Sequence, residues 1–147
     1  MKALVIFLLL TAIALCAQTG TTFAAQIVGS SGSCVGILHG ATDDGTPMIL
    51  FHCDGSPTQN WVISNGTISG TNGICLDIMG SAPKDGAQII VVQCNGRTSQ
   101  KWQVANGQIV GLGGKCLDVQ GGASDDRTPL VLKTCAPGVG SQIWSVQ

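Results

Sequence analysis

The chain has 147 residues, room for one sizeable core and not two, with seven basic against eight acidic residues and a formal net charge of −1. That balance disfavours nucleic acid or anionic membrane as the main partner, since both call for a basic surface. Glu and Tyr are missing, Gly numbers 21 and only 10% of residues are charged, a composition poor in helix formers that favours an all-β chain.

Lys2 opens an apolar run from Ala3 to Ala17 whose one polar member is Thr11, and polar Gln18-Thr19-Gly20-Thr21 follows. The run is too short to span a bilayer comfortably and has the order of a secretory signal. Thr22-Phe23-Ala24 meets the small-x-small cleavage rule, so residues 1–25 are expected to be removed and the mature chain to begin near Ala25 or Gln26. Cys16 follows Leu15, where a lipoprotein signal wants Gly or Ala, so no lipid anchor is expected. Six basic residues against eight aspartates then leave the mature protein at −2. A secreted location, extracellular or periplasmic, makes disulfides the default use of cysteine.

The mature sequence repeats with a period of 41 residues. Gln26-Ile27-Val28-Gly29, Thr67-Ile68-Ser69-Gly70 and Gln108-Ile109-Val110-Gly111 open three units, and Cys34, Cys75 and Cys116 recur at the same interval. Cys53, Cys94 and Cys135 each follow by 19 residues, and Gln59-Asn60-Trp61, Gln100-Lys101-Trp102 and Gln142-Ile143-Trp144 close the units. Units 26–66, 67–107 and 108–147 leave no linker.

Each unit holds four short apolar runs. In the second these are 67–69, 74–78, 88–94 and 101–104, punctuated by Asp85-Gly86, Asn95-Gly96 and Asn106-Gly107, pairs that accept the positive φ of hairpin turns. Three copies give twelve strands, which must close around a shared core because one unit cannot bury its own apolar face. In the third strands Met48, Ile89 and Leu130, with Leu50, Val91 and Leu132 two residues on, form the alternate set expected to face the core. Phe51, Val92 and Lys133 then fall on the outer face.

Two cysteine pairings respect the repeat: within each unit, or from each second cysteine to the next unit's first. Both centre on turns; pairing within units, Cys34–Cys53, Cys75–Cys94 and Cys116–Cys135, is preferred because its midpoints fall where a hairpin reverses.

The three Gln-x-Trp closures, with Cys75-Leu76-Asp77 and Cys116-Leu117-Asp118, resemble the ricin B-type lectin family over the whole mature chain. The resemblance implies a β-trefoil of pseudo-three-fold symmetry and assigns Gln59, Trp61, Gln100, Trp102, Gln142 and Trp144 to its structure. It also implies a sugar pocket with an Asp two residues after the first cysteine, an aromatic platform two residues before the second, and often an Asn three before the closing Trp. Asp77 and Asp118 meet the first requirement, whereas the first unit has Gly36. Only Phe51 meets the second, and Thr58, Ser99 and Ser141 leave the third unmet. Asn95, just after Cys94, is a further candidate sugar contact. No unit combines the acidic residue with the ring, so individual sites should be weak and useful strength should come from several engaging one galactose- or xylose-type glycan.

Blander roles compete. Asp77 and Asp118 also suit turn capping, Phe51 could tuck under a loop, and Asp44, Asp85 and Asp126 read as hairpin residues. Asp43-Asp44 and Asp125-Asp126 have no spaced calcium loop, and no close cysteine pairs suit zinc, so neither metal nor cofactor is expected. No enzyme is expected either: Asp77 and Asp118 belong to different units, while a glycosidase needs two carboxyls about 5–10 Å apart. A second class stays open, a trefoil without sugar recognition that binds or inhibits a protein through loops such as 136–140. Asn65-Gly66-Thr67 is a glycosylation acceptor in a eukaryotic source.

Overall fold

The computed structural model describes residues 23–147, so the expected signal segment lies outside the described residues except for Phe23 to Ala25. Among the described residues there are twelve strands and no helix longer than a single 3-10 turn, hence none long and apolar enough to cross a membrane. The architecture is a β-trefoil. Strands β1 (Ile27–Gly29), β2 (Cys34–Ile37), β3 (Thr46–Phe51) and β4 (Val62–Ser64) form lobe 1. Lobe 2 holds β5 (Thr67–Ser69), β6 (Ile74–Ile78), β7 (Ile89–Gln93) and β8 (Gln103–Ala105), and lobe 3 holds β9 (Gln108–Val110), β10 (Cys116–Val119), β11 (Thr128–Lys133) and β12 (Trp144–Val146).

All strand pairs are antiparallel. Within each lobe the second and third strands make a hairpin, with Gly36 opposite Ile49, Asp77 opposite Ile90 and Asp118 opposite Val131. Between lobes, β4 pairs with β5 and β8 with β9 through Asn65-Gly66 and Asn106-Gly107, all four residues at positive φ as a tight hairpin of this twist requires. Strand β12 returns to β1, placing Ile27 opposite Val146 and closing the barrel. Asn95-Gly96 makes no hairpin: it leads into the 3-10 turn Thr98–Gln100.

The core follows the alternation of the third strands. Met48, Leu50, Ile89, Val91, Leu130 and Leu132 are buried with Trp61, Trp102 and Trp144, while Phe51 is half-buried and Lys133 exposed on the other face. Each indole N–H donates to a backbone carbonyl of its own lobe, Val35 at 3.0 Å, Leu76 at 3.0 Å and Leu117 at 3.1 Å, so no buried ring leaves its donor unpaired. Disulfides join Cys34 to Cys53, Cys75 to Cys94 and Cys116 to Cys135, all within lobes.

Asp44, Asp85 and Asp126 do more than turn their hairpins. Asp44 accepts the Gln93 N–H at 2.8 Å, Asp85 the Thr134 N–H at 2.9 Å and Asp126 the His52 N–H at 2.7 Å. Each hairpin thus latches onto the next lobe's second-cysteine segment, one to two, two to three and three back to one. Lys115 donates to Asp85 at 2.6 Å and His52 Nδ1 lies 2.7 Å from Asp126, and these contacts hold both carboxyls below the usual aspartate range. A lowered folded pKa contributes stability above the ordinary value of about 3.8 that is lost as pH falls through the folded value. The urea midpoint is therefore expected to drop on acidification below about pH 4, and the D85N/D126N double variant to show a flatter dependence over that range. Identical slopes in the two proteins would remove the latches from the account.

Candidate functional site

Each closing Gln sits at the end of a 3-10 turn, Pro57–Gln59, Thr98–Gln100 or Gly140–Gln142, which aims its amide back under the lobe. In lobe 2, Gln100 Nε2 donates to Asp77 Oδ2 at 3.0 Å and to the Gln93 carbonyl at 3.1 Å, while its Oε1 accepts the Asn95 N–H at 2.9 Å. In lobe 3, Gln142 Nε2 donates to Asp118 Oδ2 at 2.9 Å and the Thr134 carbonyl at 3.1 Å, and Oε1 accepts the Ala136 N–H at 2.8 Å. The amide therefore does more than fill the core: it orients the acidic side chain and ties down the loop after the second cysteine.

The two aspartates, both 3% exposed, differ in their second oxygen. Asp77 Oδ1 accepts the Ile78 N–H at 2.7 Å, so each of its oxygens already holds a bond from its own chain. Asp118 Oδ1 is buried and meets no donor among the described residues. A buried acceptor left unsatisfied costs about 1–3 kcal/mol, and more when charged, which sets Asp118 apart from Asp77. The next residue, Val119, lines a cleft of about 530 Å³ together with Gln120, Val131, Lys133 and, from the neighbouring lobe, Gly86 and Gln88.

Lobe 1 is built differently. Phe51, Gly36, Ile49, Gln59, Asp54 and Arg127 line a cleft of about 290 Å³, together with His39, Ser56 and Thr58. The Phe51 ring stands 4.2 Å from that of His52, tilted by 33°. Gln59 Nε2 donates to the His52 carbonyl at 2.8 Å and its Oε1 accepts the Asp54 N–H at 3.0 Å, but with Gly36 in place of an aspartate its second N–H meets no acceptor among the described residues. Asp54 Oδ1 accepts the Ser56 N–H at 2.9 Å, and these bonds hold the exposed carboxyl below the usual aspartate range. Asn95 makes the same turn in lobe 2, accepting the Arg97 N–H at 3.0 Å with its side chain exposed.

Among the expected sugar contacts, Asp77 and Asn95 thus meet through Gln100, Asp118 stands in its own lobe and Phe51 in a third. Sequence reasoning missed Asp54: lobe 1, which lacks the strand aspartate, carries an acid near the Phe51 ring in the loop after Cys53, at the position of Asn95. It also missed Arg127, which the third lobe's hairpin carries into the first lobe's cleft. Among the described residues, no three His, Cys, Asp or Glu side chains group as a metal site would need.

Comparison with known proteins agrees with this architecture. Residues 23–144 match the family model of the ricin-type beta-trefoil lectin domain. The designed three-fold symmetric protein ThreeFoil superposes with a TM-score of 0.76 at 24% identity, over 84% of this chain and 96% of that one. The agglutinin from Abrus precatorius gives 0.74 at 25% identity, over 84% of this chain and 47% of its own. A non-toxic homologue of type II RIPs from Momordica charantia, solved in complex with α-methyl-D-galactoside, gives 0.72 at 26%, over 84% and 46%. The chain therefore spans less than half the length of these two plant proteins. No curated protein matches in sequence. With the match running through all three lobes, the chain belongs to the ricin-type β-trefoil lectin domain family.

Proposed function

We propose that the protein is a secreted, non-catalytic carbohydrate-binding module whose lobes read galactose- or xylose-type glycans, each weakly. The observation that carries the proposal is Asp118: a buried carboxylate aligned by Gln142, with one oxygen that meets no donor among the described residues, in the lobe whose Val119 and Lys133 line an open cleft. A sugar hydroxyl supplies the missing donor. The galactoside held by the Momordica charantia relative supports the choice of sugar. Asp77, with both oxygens engaged by its own lobe, contributes less, and Phe51 offers its ring in a lobe without the strand aspartate. Binding at about 1 mM amounts to only about 4 kcal/mol, so a branched or repetitive glycan touching two lobes gains most. The export segment proposed for residues 1–25 fits a protein that meets its glycans outside the cell.

Galactose-, xylan- and mucin-type matrices test this with the oxidised protein. Asp118→Asn keeps an acceptor for Gln142 and is expected to weaken retention by about 10- to 100-fold, the worth of a hydrogen bond to a charged group, with unchanged circular dichroism. Retention indifferent to D118N, D77N and F51A together would favour the other reading, a protein-binding trefoil. The exposed loop of Pro137 to Gly140, with Val139 at its tip, is the surface that such a partner would meet.

A further inference from the structure

The lobe 1 cleft departs from its counterparts at two places, one on its own strand and one on the hairpin that reaches it from lobe 3. Where lobes 2 and 3 present a carboxylate, it has Gly36, whose missing Cβ would lie 3.5 Å from Gln59 Cγ and 3.9 Å from Gln59 Nε2, ordinary contacts. Gly36 and Gln59 line the same cleft, and the amide retains an N–H that its equivalents spend on Asp77 and Asp118. Gln59, itself 1% exposed, forms part of the wall of that cleft, so its unspent N–H is a donor at the wall.

Arg127 is the second departure. It occupies the hairpin place that holds Gly45 in lobe 1 and Gly86 in lobe 2, and its backbone N–H donates to Leu50 at 2.7 Å as theirs do to Val91 and Leu132 at 2.8 Å. All three sit at positive φ, +91° and +86° for the glycines and +69° for the arginine. That conformation suits glycine and disfavours a residue with a Cβ, so the guanidinium is held at the cleft against the local preference of the backbone. Among the described residues it has no ion-pair partner. Lobe 3's cleft has Gly86 in the same place.

We infer that the lobe 1 cleft binds a carboxylate-bearing sugar, whose acid group fills the space left by Gly36, accepts the free N–H of Gln59 and pairs with Arg127. The inference rests on the reading of these clefts as sugar sites and names the class of sugar for one of them. Where the other lobes hold a buried carboxylate, this lobe lacks it and the ligand brings it. A guanidinium matches a planar carboxylate in two parallel hydrogen bonds. Asp54 remains as an acceptor for the sugar's hydroxyls and Phe51 as the face on which the ring lies. The volume, about 290 Å³, is at the small end for ligand clefts and suits a single ring.

Calorimetric titration of the oxidised protein with methyl α-D-galacturonoside and methyl α-D-galactoside separates the possibilities. The acid is expected to bind about tenfold tighter or better, with an affinity that falls as salt is raised. Arg127→Gly restores the residue that the other hairpins use, and Gly36→Asp restores the carboxylate of the other lobes. Each is expected to weaken the galacturonoside by about tenfold or more; R127G should leave the galactoside unchanged, whereas G36D, which sets the strand aspartate beside the Phe51 ring, should tighten it. D118N should do the reverse of R127G. Equal affinities for the two glycosides in the parent protein, or galacturonoside binding untouched by R127G, would overturn the inference. If D118N leaves the galactoside alone while R127G abolishes the acid, the lobe 3 reading fails and this one stands.

Discussion

Reduction of the three disulfides is expected to unfold the protein at 37 °C. Each bond closes a loop of 19 residues, and constraining a loop of that size in the unfolded chain stabilises the fold by about 3 kcal/mol. The loops are separate, so the effects add to about 9 kcal/mol, against a net stability of about 5–15 kcal/mol for a domain of this size. Loss of one bond, as in C75S/C94S, should lower the denaturation midpoint while the β spectrum is kept; loss of all three should abolish the cooperative transition. A reduced protein with an unaltered melting curve would show that the trefoil core holds without its crosslinks.

The second large effect is expected from a single methyl group. Gly29, Gly70 and Gly111 end the first strand pattern of each lobe and lie under the ring of a closing tryptophan. A Cβ at Gly111 would stand 2.5 Å from Trp102 Cζ3, at Gly70 2.9 Å from Trp61 Cζ3, and at Gly29 3.3 Å from Trp144 Cζ3. Gly70 and Gly111 have φ of −115°, which any residue tolerates, so the obstacle is the ring and not the backbone. The ring has little room to retreat, being buried and anchored through its indole N–H. Overpacking of this kind costs about 1–3 kcal/mol. G111A should therefore lower Tm by roughly 10 °C, G70A by less, and G29A by little, since alanine's stiffer unfolded chain offsets a mild contact. Three equal shifts would break the link between ring distance and stability.

The fold was legible because it is written three times. A 41-residue period carrying cysteines, tryptophans and turn pairs in register leaves few ways to close, and Met48, Leu50 and their counterparts are buried while Lys133 is not. Of the two pairings that the repeat allows, the structure holds the one within lobes. The site was less legible, and the reason is distance along the chain. Asp44, Asp85 and Asp126 look like turn residues to any local rule, yet their partners lie 49 or 74 positions away in another lobe. Arg127 reaches a cleft whose other walls come from lobe 1. The bond from Gln142 to Asp118 spans 24 residues within one lobe, and only folding shows that it leaves one carboxylate oxygen unspent. Asp54 could have been found from its register with Asn95, since it alone places a charge just after the second cysteine.

The pairing of β1 with β12 bears on how the chain is made. Gln26 and Gln147 exchange backbone hydrogen bonds at 2.8 and 2.9 Å, so the first strand to leave the ribosome waits for the last before it has a neighbour on that side. The hairpin of lobe 3 must likewise emerge before Asp126 can grip His52. Synthesis therefore yields a ring that stays open until β12 has emerged, so closure waits for the third lobe.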